Sequence, residues 1–218
     1  MLVLALDTAT PASTAALAEV TGDGMRGLVE RRVVDARAHG ELLAPEIAAA
    51  LDEAGVRAAA LDAIVAGVGP GPFTGLRVGL ATAAAMSQAL AIPAYGVCSL
   101  DALGRAAGPG RVLVATDAKR REVYWATYTD GRRTRDPDVA KPADIRIDVD
   151  RAVGEGSLKY SELFGVPIDE VLLFPPGAAL VALAADRIRA RAPAEPLTPL
   201  YLRRPDAVEP TRRKTVLR

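Results

Sequence analysis

The sequence is poor in the residues on which most metal and redox chemistry depends. Its 218 residues include one cysteine, Cys98, and one histidine, His39. No disulfide can close within the chain, which fits a reducing compartment. A site with two or three histidine ligands cannot be built from this chain alone, and a structural zinc site is not expected. Net charge is absent too, with 27 basic and 27 acidic residues. No global field therefore draws the protein to nucleic acid or to an anionic membrane, and any such contact must be local. No segment approaches the ~20 apolar residues of a membrane span. The opening MLVLALDTAT lacks the positive start and the length of a signal peptide. A soluble cytoplasmic protein is expected.

What the chain does have is apolar content, 50% of its residues, enough for one substantial core or two small ones. LVLALD (residues 2–7) reads as a buried central strand ending in an acid. ASTAALAEV (12–20), the turn TGDG and LVERRVV (28–34) continue as a meander. Residues 39–54 are predicted helical, with Leu43, Ile47, Ala50, Leu51 and Ala54 on one stripe and Pro45 tolerated in the first turns. A strand at 63–68, a helix at 74–90, a strand at 92–97 and a helix at 99–107 follow, up to a breaker at Gly108-Pro109-Gly110. The pattern then restarts, because VLVATD (112–117) lies over LVLALD when Asp117 is aligned with Asp7. A hairpin-like segment follows each acid. Such a repeat is too long for a solenoid and implies duplicated α/β lobes. Residues 1–107 form the first lobe and 108–202 a smaller second one, weakly patterned over 135–176 and ending in a helix at 178–192. A basic tail, 203–218, carries six basic and two acidic residues.

Asp7 and Thr8, at a strand end between lobes, suit a carboxylate that holds water on a magnesium ion; alternatively the acid caps a turn through backbone amides. The stretch AGVGPGPFTGLRVG (66–79) resembles a phosphate loop but lacks the lysine of a Walker motif, and Pro70 and Pro72 have no N–H to offer a phosphate. What remains for an anion is the helix start, with Thr74 as cap and the amides of Gly75 and Leu76 facing outward. The other reading is a rigid strand-to-helix turn. The helix beyond carries two apolar stripes of small residues, one through Leu76, Leu80, Ala83, Ser87 and Leu90, the other through Val78, Thr82, Ala85, Met86 and Ala89. Two stripes serve either burial or a protein interface. His39 as a general base with Ser13 or Ser99 as nucleophile finds no support in the spacing, and His39 is expected to face solvent at a helix start. Lys119-Arg120-Arg121 and Arg132-Arg133-Arg135 flank a hairpin, so their charges can cluster and, with the tail, touch RNA phosphates; solvated surface charge is the alternative.

ALDTATPASTAAL, AHGELLAPEI, GPGPFTGLRVGLATAAAMSQAL, PAYGVCSLDAL and PLYLRRPDA together resemble the TsaB (YeaZ) family across nearly the whole chain, departing from its usual GPGSFTGLR only at Pro72. The resemblance implies an actin-like ATPase or RNase H-like fold in two lobes, the second reduced. It also implies a role in making N6-threonylcarbamoyladenosine in tRNA, as the non-catalytic paralogue that pairs with the transferase TsaD and supports the ATPase TsaE. TsaD-like proteins carry GVHHxEGH, with metal-binding histidines; the matching segment here is GVCSLDAL, with Ser99 and Leu103 at those positions. No catalytic residue and no metal site are therefore expected. No cofactor is required, although ATP or ADP can sit at a shared interface, and any vestigial nucleotide contact falls on Asp7, Thr8, Thr74 and Gly75. The expected partner face comprises Leu43 and Ile47 on the first helix and Leu76, Leu80, Ala83, Ala84 and Ser87 on the second. It would pack on TsaD, or on a second copy when TsaD is absent. The chain would meet tRNA only through that complex. An active ATPase of the same fold, a protease and a direct tRNA-binding module are the rival readings.

Overall fold

The computed structural model describes residues 1–203. The expected basic tail falls, beyond Arg203, outside the described residues. The first sheet is built around β1 (Leu2–Asp7), which pairs antiparallel with β2 (Ala12–Val20) and parallel with β4 (Ala63–Gly67). With β3 (Met25–Val34) and β5 (Ala94–Val97) at its edges the order is β3-β2-β1-β4-β5. The unbroken apolar run of β1 has a physical cause, since both of its faces are covered. Leu4 and Leu6 pack under α1 (His39–Glu53) and α2 (Phe73–Leu90). Val3 and Ala5 face a second core that contains Leu180, Val181, Ala184 and Ile188.

The second sheet repeats the local pairing. Strand β6 (Arg111–Asp117) is antiparallel to β7 (Val123–Thr129) and parallel to β9 (Arg151–Val153), with β8 (Arg132–Ala140) outside β7, in the order β8-β7-β6-β9. Among the described residues it has four strands against five in the first sheet, which makes the second lobe the reduced one. The α/β, actin-like class read from the sequence is the class observed.

Helices cross between the sheets. Helix α3 (Ser99–Ala106) closes the first βα run, yet it places Leu100 and Leu103 in the core of the second sheet. The short helices α4 (Glu155–Lys159) and α5 (Ser161–Phe164) precede α6 (Gly177–Arg189). Helix α6, expected within the 108–202 lobe, lies on the first sheet instead. The alternating apolar side chains of β1, β2 and β4 present two faces, and α1 with α2 can cover only one of them. The α6 start is anchored there by the Gly177 amide, which donates to Glu30 Oε2 at 2.8 Å.

After α6 the chain runs back as an irregular strap. The Glu195 amide donates to the Ala94 carbonyl at 3.1 Å and the Leu200 amide to the Val68 carbonyl at 2.7 Å. Tyr201 stacks on Phe73, with ring centroids 4.0 Å apart, and its hydroxyl accepts from Arg77 Nε at 3.0 Å. Arg203 then reaches the second lobe, donating to the Ala118 carbonyl at 2.8 Å and pairing with Glu122. Among the described residues no helix is long and apolar enough to cross a membrane.

Candidate functional site

The ends of β1, β4 and β6 meet at the cleft between the two sheets. Asp7, at the end of β1, is buried; its Oδ2 accepts from Ser99 Oγ at 2.5 Å and its Oδ1 from the Ala9 amide at 3.0 Å. Gly67 makes this possible, because a Cβ there would overlap both the Asp7 carboxylate and the Ser99 hydroxyl. Burial pushes the Asp7 carboxyl up to about 6, against the lowering effect of the Ser99 and Ala9 bonds. Both oxygens are thus engaged within the protein. Of the two readings, the turn-capping one describes the bond from the Ala9 amide to Asp7. Asp117 repeats the motif, accepting from the Lys119 amide two residues on at 3.3 Å, but its side-chain partners are Lys119 at 3.4 Å and Lys159 at 3.0 Å. Its own amide donates to Glu155 Oε1 at 2.8 Å, and burial raises Glu155 to about 7.

Thr8 is buried as well, and its hydroxyl both donates and accepts within the protein. Oγ1 donates to the Gly75 carbonyl at 2.8 Å and accepts from the Gly79 amide at 3.1 Å. These two backbone groups are i−4 partners in α2, so Thr8 locks the first turns of the helix onto the β1–β2 loop. The nucleotide role expected of Thr8 gives way to this structural one. Gly79 is a glycine because a Cβ there would strike the Thr8 hydroxyl. The stretch AGVGPGPFTGLRVG is therefore glycine-rich for close packing on residues 7–9. Thr74 does not cap α2: the helix begins one residue earlier, at Phe73, with extended Pro72 at the cap position and no side-chain cap bond. Thr74 is exposed, whereas Gly75 is buried against the His39 ring.

His39 is the clearest departure from expectation. It is buried, not solvent-facing, with Nδ1 and Ser13 Oγ 2.8 Å apart. Burial lowers its pKa below the ordinary 6.5, which favours the neutral ring. The space its ring occupies exists because residue 75 has no side chain. Ser13 is wholly enclosed and cannot act as an exposed nucleophile. His39, Thr10, Thr74, Gly75, Asp117 and Lys119 line a cavity of about 260 Å³ between the lobes. Ser99 is committed to Asp7 and Leu103 is buried in the second core, so the two positions aligned with TsaD-type metal ligands do not fit a metal. Burial also pushes the Cys98 thiol up to about 12, far from a reactive thiolate.

The expected partner face is redistributed. Leu43, Ile47, Leu76, Leu80 and Ala83 belong to the first-lobe core, and Ser87 is half-buried with its hydroxyl donating to the Ile92 carbonyl at 2.6 Å. They sit inside because that stripe of α2, with α1, must cover Leu4, Leu6 and Ile64. Ala84 alone of the named set is exposed, together with Ala81, Ala85, Gln88 and Ala89. The second stripe read in the sequence is only partly outward: Ala85 and Ala89 are exposed, but Val78 and Met86 pack against the first-lobe core. The two basic triplets do not cluster either, because they stand at opposite ends of β7, about 20 Å apart for a strand of that length. Arg133 pairs with Asp101 at 3.3 Å, and Arg135 lies over the Trp125 ring at 4.3 Å.

Sequence reasoning named Ser13 with His39 only as a weak alternative, and missed the strap and the left-handed turn at Lys119, Arg120 and Arg121, whose φ angles are 61°, 55° and 61°. Three successive non-glycine residues in that region cost about 1–2 kcal/mol each. The turn is held by Ala118 and Glu122, each donating its amide within it, the first to the Glu122 carbonyl and the second to that of Lys119, both at 2.9 Å. Nothing in the local composition marks it, as Lys and Arg have no preference for the left-handed region.

Comparison with known proteins places this architecture. A family model described as "TsaD: tRNA N6-adenosine threonylcarbamoyltransferase" matches residues 33–198. A Mycobacterium tuberculosis protein is 53% identical over 207 residues, covering 94% of this chain and 93% of that relative. A Mycobacterium leprae relative, 50% identical, is covered over 56% of its length, so the chain spans little more than half of it. The Escherichia coli tRNA threonylcarbamoyladenosine biosynthesis protein TsaB is 35% identical over 132 residues, 59% of this chain and 55% of that protein. Among solved structures, YeaZ from Pseudomonas aeruginosa superposes with a TM-score of 0.76 at 32% identity, over 92% of this chain and 99% of YeaZ. With its two-sheet fold, its Ser99 and Leu103 and this agreement over almost the whole of YeaZ, the chain belongs to the TsaB (YeaZ) family, within the wider family whose model carries the TsaD description.

Proposed function

We propose that the chain is a non-catalytic subunit of tRNA N6-threonylcarbamoyladenosine biosynthesis that docks the transferase TsaD through the outward face of α2. The observation that carries this reading is the makeup of that face. The helix has 18 residues and a single charge, Arg77, and its exposed positions are Thr74, Arg77, Ala81, Ala84, Ala85, Gln88 and Ala89. A solvated helix face is normally rich in charge, and one with a single charge at its start and small side chains beyond suits close approach of another helix. Beside it a groove of about 680 Å³ opens between α2 and the strap, lined in part by Arg77, Ala81, Ala84, Leu197 and Tyr201.

The commitment of Asp7, Thr8 and Ser99 to internal bonds supports a scaffold over an ATPase of the same fold. In this reading no cofactor is needed by the chain itself, any ATP or ADP lies at the shared interface, TsaE joins the pair, and a second copy occupies the α2 face when TsaD is absent. Docking would favour one TsaD conformation by differential binding. The test is to mix the chain with its cognate TsaD and measure complex mass with and without ATP, for the native sequence and for Ala84→Arg. A complex that forms with the native chain and is lost with Ala84→Arg is expected; a complex unaffected by the arginine would place the interface elsewhere.

A further inference from the structure

We infer that Arg77 is the ionic anchor of the α2 face, positioned by Phe73 and Tyr201, and that the surface it receives on TsaD carries an aspartate or glutamate set among small aliphatic side chains. This rests on α2 being the docking face and adds the chemistry of the surface that fits there. Arg77 is exposed and carries the one charge of the helix. Its guanidinium lies over the Phe73 ring, 4.9 Å from the centroid, and 5.9 Å from the centroid of Tyr201. Its Nε donates to the Tyr201 hydroxyl at 3.0 Å, and the two rings stack with their planes 9° apart. A long, rotamer-rich side chain is thereby fixed before a partner arrives, which lowers the ordering cost of binding.

These contacts are all with neutral groups. Arg31, Arg111, Arg187 and Arg189 each pair with an acid, whereas among the described residues no acid pairs with Arg77. Glu195, the acid lining the same groove, is paired with Arg187 at 2.6 Å instead. The groove between α2 and the strap thus keeps one cation without a counter-charge at the head of an apolar wall that includes Ala81, Ala84 and Leu197. The internal bond uses Nε, and the terminal nitrogens of a guanidinium form the fork that grips a carboxylate with two parallel bonds. An arginine packed on aromatic rings is also the kind of residue that dominates protein interfaces. A nucleic-acid backbone would call for several cations, and the groove offers one. A second copy would present an α2 that has no acid to receive Arg77. Charge complementarity therefore favours an acid-bearing protein surface over either.

The test is calorimetric titration of the full chain with its cognate TsaD at low and high salt, with and without ATP. The native chain is expected to bind, more weakly as salt rises. Arg77→Gln keeps the length and removes the charge; it should weaken binding on the order of tenfold at low salt and blunt the salt dependence. Arg77→Lys loses the planar fork but keeps the charge, so its affinity should lie between the two and its salt dependence should persist. Tyr201→Phe keeps the stack and removes the acceptor of Nε. It should weaken binding of the native chain yet add nothing in the Arg77→Gln background. Arg77→Glu should abolish the complex, and one acid-to-arginine change among the exposed aspartates and glutamates of TsaD should restore it. A native chain that does not bind TsaD overturns the docking reading and this inference together. Loss of the complex with Ala84→Arg, alongside native affinity and salt dependence in Arg77→Gln, overturns this inference alone. So does an equal loss in Arg77→Gln and Arg77→Lys, or the failure of every TsaD change to rescue Arg77→Glu, either of which would make Arg77 a packing contact. An effect of Arg77→Gln confined to the titration with ATP would assign the guanidinium to a phosphate and overturn it as well.

Discussion

Asp7 and Ser99, from the end of one strand and the start of a helix, share a 2.5 Å hydrogen bond in a space that only glycine at position 67 leaves open. The carboxyl group is enclosed, and enclosure is the chief reason it holds its proton up to about 6. An acid in the middle of a core is therefore a source of pH dependence rather than a simple stabiliser.

That dependence has a definite sign. The folded protein binds protons at Asp7 and Glu155 more tightly than the unfolded chain, since their values rise from 3.8 to about 6 and from 4.5 to about 7. The stability they contribute is fully present below the unfolded values and is lost as pH rises through 6 and 7. His39 works in the opposite sense, because its pKa is lowered by burial and its protonation in acid opposes folding. Asp7→Asn keeps an acceptor for the Ala9 amide and removes the charge. Calorimetry should show it more stable than the native chain at pH 7.5, by up to about 3 kcal/mol, with the gain vanishing only below pH 3.8. A lower melting temperature for the variant at pH 7.5 would mean that the ionised carboxylate is a net stabiliser.

Thr8 and Gly79 should prove energetically coupled. Thr8→Ala strips the hydroxyl from the Gly75 and Gly79 backbone groups and is expected to cost about 1–3 kcal/mol. Gly79→Ala drives a methyl into that hydroxyl and should cost a similar ~1–3 kcal/mol. In the double variant the methyl enters the space vacated by the hydroxyl, so the combined loss should fall short of the sum by at least ~0.5 kcal/mol. Strict additivity in denaturant unfolding would show that the contact is not the reason for glycine at 79.

The first-lobe strands and helices, and the repeat that aligns Asp117 with Asp7, were legible because apolar periodicity reports burial directly. The placement of α6 was not, since periodicity shows that a helix has an apolar face and not which sheet that face meets. The stripe of α2 that faces inward was misassigned for the same reason: Leu76, Leu80 and Ala83 form as good an external stripe on paper as an internal one. His39 was misplaced because its burial depends on an absent side chain at residue 75, thirty-six positions away by subtraction of the two residue numbers. Local strain at residues 119–121 has no sequence signature at all.

Substitutions along α2 should separate folding from docking. Leu80→Arg puts a charge into the first-lobe core and is expected to yield insoluble or unfolded protein. Ala81→Arg and Ala84→Arg, on the exposed face, should fold with native circular dichroism and fail to retain TsaD in size-exclusion chromatography. Retention of TsaD by both arginine variants would move the interface off this helix.

The strap should be held by its aromatic end. Tyr201→Ala removes the stack on Phe73 and the acceptor for Arg77, an expected loss of about 1–2 kcal/mol. Limited proteolysis should then cut within 193–203 at a trypsin dose that leaves the native chain intact. Equal resistance in both proteins would show that the backbone bonds to Ala94 and Val68 suffice.

Each sheet borrows its covering helix from the other half of the chain: α3 serves the second sheet and α6 the first. A gene fragment that stopped at residue 107 would therefore encode a sheet with one greasy side bare, and the complementary fragment would carry an orphan helix with nothing to cover. The two halves are interleaved like clasped hands. Co-expressed fragments can be expected to find each other, but neither is a domain in the sense of a piece that can be cut out and kept.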